Sequence, residues 1–437
     1  MPESLRTFEA EGLWWLPDHE DQKVAGILSH SPDSGSELRL IGSFTSARGS
    51  HDETYERIHG LADGKQYHLE DCYQKSYKGS LFSPGGETEK IHVHQVFRGV
   101  HYTEPDEPNA DRVTVNLRYL TQWVGHQGIT IQHHGIQEQE AGMPFASLQV
   151  HKQPDHTAKL SDGVSLKIQH RVGSAPHTGT EQSLRESCVY SFEFPKLTST
   201  SLAIEYASDM QDLVSIATGR VAEYDEFTFS HPDVALGSDG SQHRMPIGFF
   251  TEWIPRDSSK KPGKIHPSDM FFTFDDLGGI EGVAKWMETV NRHRSTLGRV
   301  MASRYRKGLF VEDRLFHRAT AIEAFARARI GNKNVKLLGA LKHCRELAGD
   351  PFSTLVGDSE SWSVVAASNR NDIGHHLGKR PDQGGGAKYF LAESLYWLYI
   401  LCMLRETGAP EALFERIKNH PELAWLGPKV QAVVQAG

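Results

Sequence analysis

The chain has 437 residues, of which 38% are hydrophobic and 9% aromatic, enough apolar material for two or three packed cores and too much for a disordered polymer. A formal net charge of -9 excludes a surface that binds nucleic acid everywhere, but not a local cluster of Lys and Arg. Cys72, Cys188, Cys344 and Cys402 stand far apart without C-x-x-C or zinc-type spacing, which fits reduced thiols in packing roles rather than a disulfide frame.

In chain order, the first residues MPESLRTFEAEG lack a basic stretch followed by an apolar core, so no secretory leader is expected. Trp14 and Trp15 read as the edge of a sheet core. Val24 to Ser29, the turn Ser31-Pro-Asp-Ser-Gly and Leu38 to Phe44 then form a hairpin by pattern. Further strands are expected at Ile91 to Phe97, Arg112 to Tyr119, Ile129 to Gln132, Ser147 to Val150, Val164 to Gln169, Cys188 to Phe194 and Ser201 to Tyr206. One helix, about Asp209 to Ala222, interrupts them, and strands resume at Glu226 to Ser230, Ile247 to Ile254 and Met270 to Phe274. This is an antiparallel sandwich or barrel-like domain over residues 1–275. The polar segment from Pro255 to Lys264 reads as an exposed loop.

From Gly279 the apolar spacing becomes helical. Helices are expected near Glu281 to Tyr305, Glu312 to Ile330, Val335 to Ala348, Glu360 to Leu377, Lys388 to Arg405 and Pro410 to Asn419, with a terminal piece. Gly and Pro stop signals at 331–332, 349–351, 378–381 and 408–410 separate them. The fold class is therefore α+β, a β-rich domain followed by an all-α bundle over residues 279–437. The most apolar run, Tyr396 to Leu404, is too short for a bilayer span, and a cytoplasmic protein with no membrane partner is expected.

Arg370, Asn371 and His375 form an R-N-x-x-x-H pattern in the helix near Glu360 to Leu377, and no other Arg of the chain has a His five positions later. A guanidinium that grips phosphate beside an imidazole that titrates near neutrality supplies the groups that metal-free RNA cleavage needs. His375 would act as base or acid, Arg370 would stabilise the crowded phosphorane, and Asn371 would orient the imidazole or a phosphate oxygen. At about 100° per residue Asn371 and His375 share a face, whereas Arg370 and His375 are roughly 140° apart. Three ways to bring them together remain open: Gly374 loosens the last turn, the long Arg side chain reaches around, or two copies face each other and pool their groups. The bland alternative is a solvated helix C-terminus, where positive charge is favoured by the dipole.

The helices from Glu312-Asp-Arg-Leu-Phe-His-Arg-Ala-Thr-Ala-Ile-Glu-Ala-Phe through Arg370, Asn371 and His375 to Tyr389–Arg405 resemble the HEPN domain of the ApeA-like branch. Phe8-Glu-Ala-Glu-Gly-Leu-Trp-Trp-Leu-Pro, Gly26-Ile-Leu, Leu38-Arg-Leu-Ile-Gly-Ser-Phe, Gly99-Val-His-Tyr and Leu120-Thr-Gln-Trp resemble the ApeA N-terminal domain. The resemblance covers nearly the whole chain. It implies a bacterial anti-phage protein acting by abortive infection, whose HEPN part is a metal-independent endoribonuclease with a site completed by dimerisation. Residues 1–275 would then sense or regulate. By position the catalytic set is Arg370, His375 and Asn371, with no metal and no cofactor. Lys379, Arg380 and His376 are candidates for substrate contact, Lys379 and Arg380 for substrate phosphates. The implied partners are RNA, with structured RNA such as tRNA the family-level expectation, a phage-derived trigger, and a second copy in a homodimer or higher oligomer. The competing reading is a non-catalytic sensor whose helical part only dimerises or binds nucleotide or RNA.

Other candidates are weaker. Arg292, Arg294, Arg299, Arg304, Arg306 and Lys307 could track an RNA backbone, but a solvated helix face is the plainer reading. Gly86-xxxxx-His92-Val-His94 matches the opening half of a cupin metal motif. It lacks the Glu that should follow, so the two histidines read as incidental strand residues. His133 and His134 point to opposite faces of any strand. Glu323 could support the site, although a surface role is expected. No Walker A loop, strand-linked G-x-G-x-x-G or G-x-S-x-G elbow is present.

Overall fold

Alternation of apolar and polar residues builds the first half of the chain into strands: β1 (Phe8–Trp15), β2 (Val24–Ser31), β3 (Gly35–Ile41), β4 (Thr54–Ala62), β5 (Lys65–Lys78), β6 (Thr88–Arg98), β7 (Asn109–Leu117), β8 (Ile129–His133), β9 (Ala146–Val150), β10 (His156–Lys159), β11 (Ser165–Ser174), β12 (Leu184–Ser199), β13 (Tyr224–Ser230), β14 (Ala235–Leu236), β15 (His243–Arg244) and β16 (Ile247–Thr251). This computed structural model describes residues 7–44, 53–78, 86–103, 108–134, 146–174, 179, 182–236, 243–252, 265–306, 308–375 and 385–436. The expected loop at 255–264 lies outside them. Two units divide the chain: Met1–Thr121, Gln127–Ser208 and Glu223–Lys264 form the first, and Gln122–His126, Asp209–Ala222 and Ile265–Gly437 the second.

In the first unit six strands close on themselves in the order β1, β2, β3, β6, β5, β4, with β4 returning to β1. Closure is made by Gly12–Trp15 of β1 pairing with His59–Ala62 of β4. Its interior holds Trp14, Leu28, Leu38, Leu40, Ile58, Leu69, Ile91 and Val93. Trp14 is fully buried, donates its indole N–H to the Gly26 carbonyl at 3.1 Å and lies against Gly60; Trp15 is buried too. On β6 the period of two sends Glu89 inward as well. This buried carboxylate accepts from Tyr55 Oη at 2.7 Å, Gln74 Nε2 at 2.9 Å, Ser43 Oγ at 2.9 Å and the Phe44 amide at 3.2 Å, so its desolvation is offset by four donors.

The outer edge of β6 is divided. Val93 pairs with Ser36 of β3, whereas Gln95 pairs with Thr251 of β16, and from β16 the sheet continues through β13, β7, β12, β11 and β10. The sheet therefore forks between Val93 and Gln95.

Two expected strands are corrected. Ser201 to Tyr206 is the start of α2 (Thr200–Thr218), which follows the short α1 (Leu120–Val124). Ala203, Ala207, Met210, Val214 and Ala217 are buried at helical spacing over the longer window, and that period outweighs a brief alternation. The helix placed at Asp209 to Ala222 thus begins at Thr200 and ends at Thr218. Met270 to Phe274 is bent, irregular backbone leading into a turn at Phe274, not a strand. Its buried aromatic residues are fixed in the second unit, where the Phe271 amide donates to the Ala217 carbonyl at 2.8 Å and the Phe274 amide to the Trp123 carbonyl at 3.1 Å.

The second unit contains α3 (Gly279–Tyr305), α4 (Val311–Ile330), α5 (Leu337–Ala348), α6 (Asp350–Val356), α7 (Ser359–His375), α8 (Gly385–Thr407), α9 (Glu411–Lys418) and α10 (Pro421–Ala436). The stop signal at 349–351 both ends α5 and starts α6, because Pro351 sits in the first turn of a helix that the sequence reading omitted. Every residue of α8 from Leu391 to Leu404 is buried, and α8 packs on α3, α4, α5, α6 and α10. An all-round apolar helix is a core helix, and no helix among the described residues is long and apolar enough to cross a membrane. All four cysteines are buried and free.

Candidate active site

Asp358 starts α7 by accepting from the backbone amides of Glu360 at 3.0 Å and Ser361 at 3.1 Å, satisfying donors that a helix start leaves open. Trp362, Val365, Ala366 and Asn369 then fall on one face and are buried. Trp362 donates to Ser394 Oγ at 2.9 Å and meets Phe352 edge-on at 4.8 Å, so the rotation of α7 is fixed by its own core face. That rotation places Arg370 at the border of the buried face and leaves Asn371 exposed.

The Arg370 side chain, 22% exposed, turns towards α4. Its guanidinium lies 5.1 Å over the ring of Phe316, and Nη2 is 3.7 Å from Glu323 Oε2. Nη1 donates to Asn371 Oδ1 at 3.3 Å, and Nε is buried without a hydrogen-bond partner. Phe316 and Glu323 are seven residues apart on α4 and so share a face. Glu323 also accepts from Arg327 Nη2 at 2.7 Å, while Arg327 Nε donates to the Val335 carbonyl at 2.9 Å. The surface role expected for Glu323 is therefore corrected: its side chain is only 12% exposed and one carboxylate serves two guanidinium groups. The i, i+4 spacing of Glu323 and Arg327 was the available sequence signal; the reach to Arg370 depends on how α4 and α7 pack.

Gly374 does not break the helix, since α7 remains helical through His375. A side chain at Gly374 would stand 3.3 Å from the Phe316 ring, so the glycine lets α7 pass close to the aromatic residue beneath Arg370. A regular helix separates residues 370 and 375 by roughly 7.5 Å along the axis and about 140° around it. The His375 side chain, His376, Lys379 and Arg380 lie outside the described residues.

A cavity of about 600 Å³ opens beside Arg370 among α4, α5 and α7. Leu337, Leu338 and Val364 contribute its apolar lining, and Lys336, Arg370, Glu323 and Asp372 its charged lining. Charge in the lining is balanced, two basic against two acidic side chains.

The basic stretch of α3 is divided between ion pairs and solvent. Arg292 pairs with Glu406 at 3.3 Å, Arg294 with Asp209 at 2.7 Å and Arg304 with Glu393 at 3.2 Å; Arg292, Arg299 and Arg306 are exposed, and Lys307 is outside the described residues. Deeper in the same unit, the fully buried Arg318 binds Glu393 Oε1 at 2.8 Å, the Ala392 carbonyl at 2.7 Å and Ser303 Oγ at 3.0 Å. Burial itself pulls the Arg318 pKa down, and the adjacent carboxylate opposes that pull.

Comparison with families matches residues 9–286 to the one described as ApeA N-terminal domain 1. Comparison with curated proteins and with solved structures gives no match.

Proposed function

The chain belongs to the ApeA N-terminal domain 1 family, which points to anti-phage defence, and on that premise we propose that its helical unit is a HEPN-type endoribonuclease acting in abortive infection. Arg370 and His375 carry the chemistry, with Asn371 as the orienting amide. The observation behind this reading is the setting of Arg370: stacked on Phe316, tethered by Glu323 and lining a cavity large enough for a nucleotide.

In the proposed reaction the 2′-oxygen of RNA attacks the adjacent phosphorus while the bond to the 5′-oxygen breaks. A neutral imidazole takes the 2′-hydroxyl proton, a protonated imidazole gives a proton to the departing 5′-oxygen, and Arg370 neutralises the phosphorane. One regular α7 separates Arg370 from His375, and this favours a site pooled from two copies. Two copies would also supply the two imidazoles. The products are a 2′,3′-cyclic phosphate and a 5′-hydroxyl.

The test incubates full-length protein with total RNA, adding lysate of phage-infected cells as trigger, and maps the new ends. Cleavage with cyclic-phosphate ends that is lost in His375→Ala supports the enzyme. The second reading, a sensor whose helical unit only dimerises or binds nucleotide or RNA, is favoured by the Glu323 tether and the balanced charge of the cavity lining. Intact RNA with triggered wild type selects it and removes the nuclease.

A further inference from the structure

The half-motif on β6 finds its missing carboxylate in the first unit. His92 and His94 both project from the outer face of β6, since the intervening Val93 is buried inside the barrel. Glu252 follows β16 directly, and β16 joins β6 where the sheet forks, so Glu252 arrives beside the two histidines from a segment 158 positions away. His92 Nε2 lies 3.5 Å from Glu252 Oε2 and His94 Nδ1 lies 3.5 Å from Glu252 Oε1. One ligand atom from each of the three residues falls within 4.8 Å of the others.

We propose that His92, His94 and Glu252 bind one divalent first-row transition-metal ion, zinc being the fitting probe. Metal–nitrogen and metal–oxygen bonds of about 2.0–2.1 Å in a tetrahedron set neighbouring ligand atoms about 3.3 Å apart; each histidine nitrogen already stands 3.5 Å from one Glu252 oxygen, and drawing the three ligand atoms in from within 4.8 Å takes side-chain rotation alone. Two imidazoles and one carboxylate suit zinc or iron(II) and disfavour calcium or magnesium, which take all-oxygen sites. With side-chain exposures of 43% for His94 and 40% for Glu252, the three ligands leave a coordination position open to solvent.

The surroundings hold the ligands in place. The Tyr73 ring lies 4.8 Å from that of His92 at an angle of 35°. Gly35, at φ +75°, keeps β3 clear of the site, since an added Cβ would sit 3.1 Å from Glu252 Oε2. Glu37, the cross-strand partner of His92, is engaged by Lys75 and Lys90 at 3.2 Å each and is no fourth ligand. The ion would join β6 to β16 and so pin the fork where the barrel meets the rest of the sheet.

The test uses untagged full-length protein stripped with a chelator and titrated with Zn²⁺ against a chromophoric competitor, with Co²⁺ absorption as a readout of geometry. Wild type takes up one ion per chain, and Zn²⁺ raises its unfolding midpoint. Glu252→Gln lowers affinity about tenfold or more, and His92→Gln/His94→Gln abolishes both the strong site and the midpoint rise. Circular dichroism checks the fold, and the exposed positions His94 and Glu252 give single variants if the pair fails to fold. Equal zinc affinity of wild type and folded variants would reduce the cluster to two His–Glu contacts and overturn the proposal.

Discussion

Replacing Arg370 by Ala separates catalysis from stability. The side chain contributes a cation–π contact with Phe316, about 0.5–1 kcal/mol, and a partly exposed pair with Glu323, roughly 0–1 kcal/mol. Against this, truncation removes a buried Nε that has no partner, a group whose burial costs about 1–3 kcal/mol. Glu323 is not orphaned, because Arg327 still binds it at 2.7 Å. These contributions nearly cancel, so the fold changes by about 1 kcal/mol at most, a midpoint shift of roughly 2–4 °C. Removing a group that meets charge developing in the transition state costs about 10²–10³ in rate. The assay is single-turnover cleavage of RNA by triggered protein, run beside thermal unfolding of the same samples. Arg370→Lys keeps the charge and loses the planar fork, and its rate falls between wild type and Ala. A folded Arg370→Ala protein that cleaves within about threefold of wild type would refute the catalytic assignment, because electrostatic stabilisation of the phosphorane is worth far more than that.

Glu323→Gln keeps the fold but frees Arg370 to swing from Phe316, so cleavage falls while Arg327 remains bound to the Val335 carbonyl; single-turnover rates measured across substrate concentrations show the loss. Glu393→Ala leaves the buried Arg318 and Arg304 without their shared counter-charge and destabilises the helical unit by about 3–5 kcal/mol, read by urea unfolding. In the barrel unit burial lowers His30 from the usual 6.5 to about 4, and burial together with the neighbouring His101 and His68 does the same for His59. As pH falls from 6.5 towards 4 the unfolded chain protonates before the folded one, so this unit loses roughly 2 kcal/mol per histidine by pH 5, and His59→Gln flattens the slope of midpoint against pH. Gly60→Ala would put a methyl group 2.2 Å from a ring carbon of the fully buried Trp14, costing about 1–3 kcal/mol by denaturant unfolding.

Long periodic signals survived the passage from sequence to structure. The helices of the second unit were legible because an apolar stripe repeated over many turns admits one period, and Gly331 and Gly408 closed α4 and α8 where punctuation placed them. Ser201 to Tyr206 and Met270 to Phe274 were misread because five or six apolar residues fit either period, and only their burial partners select one. The strands β1, β4 and β5 went unread because charged residues on their outer faces interrupt the apolar count.

The same division runs through the sites. Composition, periodicity and motif spacing by themselves determined a β-rich half, a helical half, four packed cysteines and the positions of Arg370, Asn371 and His375, since these depend on local order along the chain. Tertiary structure alone decided that Glu323 grips Arg370, that Arg294 and Arg304 of α3 are paired with the buried Asp209 and Glu393, and that Glu252 completes a cluster with His92 and His94. Each of these contacts joins segments distant in sequence, and strand pairing and helix packing bring such side chains within a few ångströms without leaving any periodic trace in the residues between them.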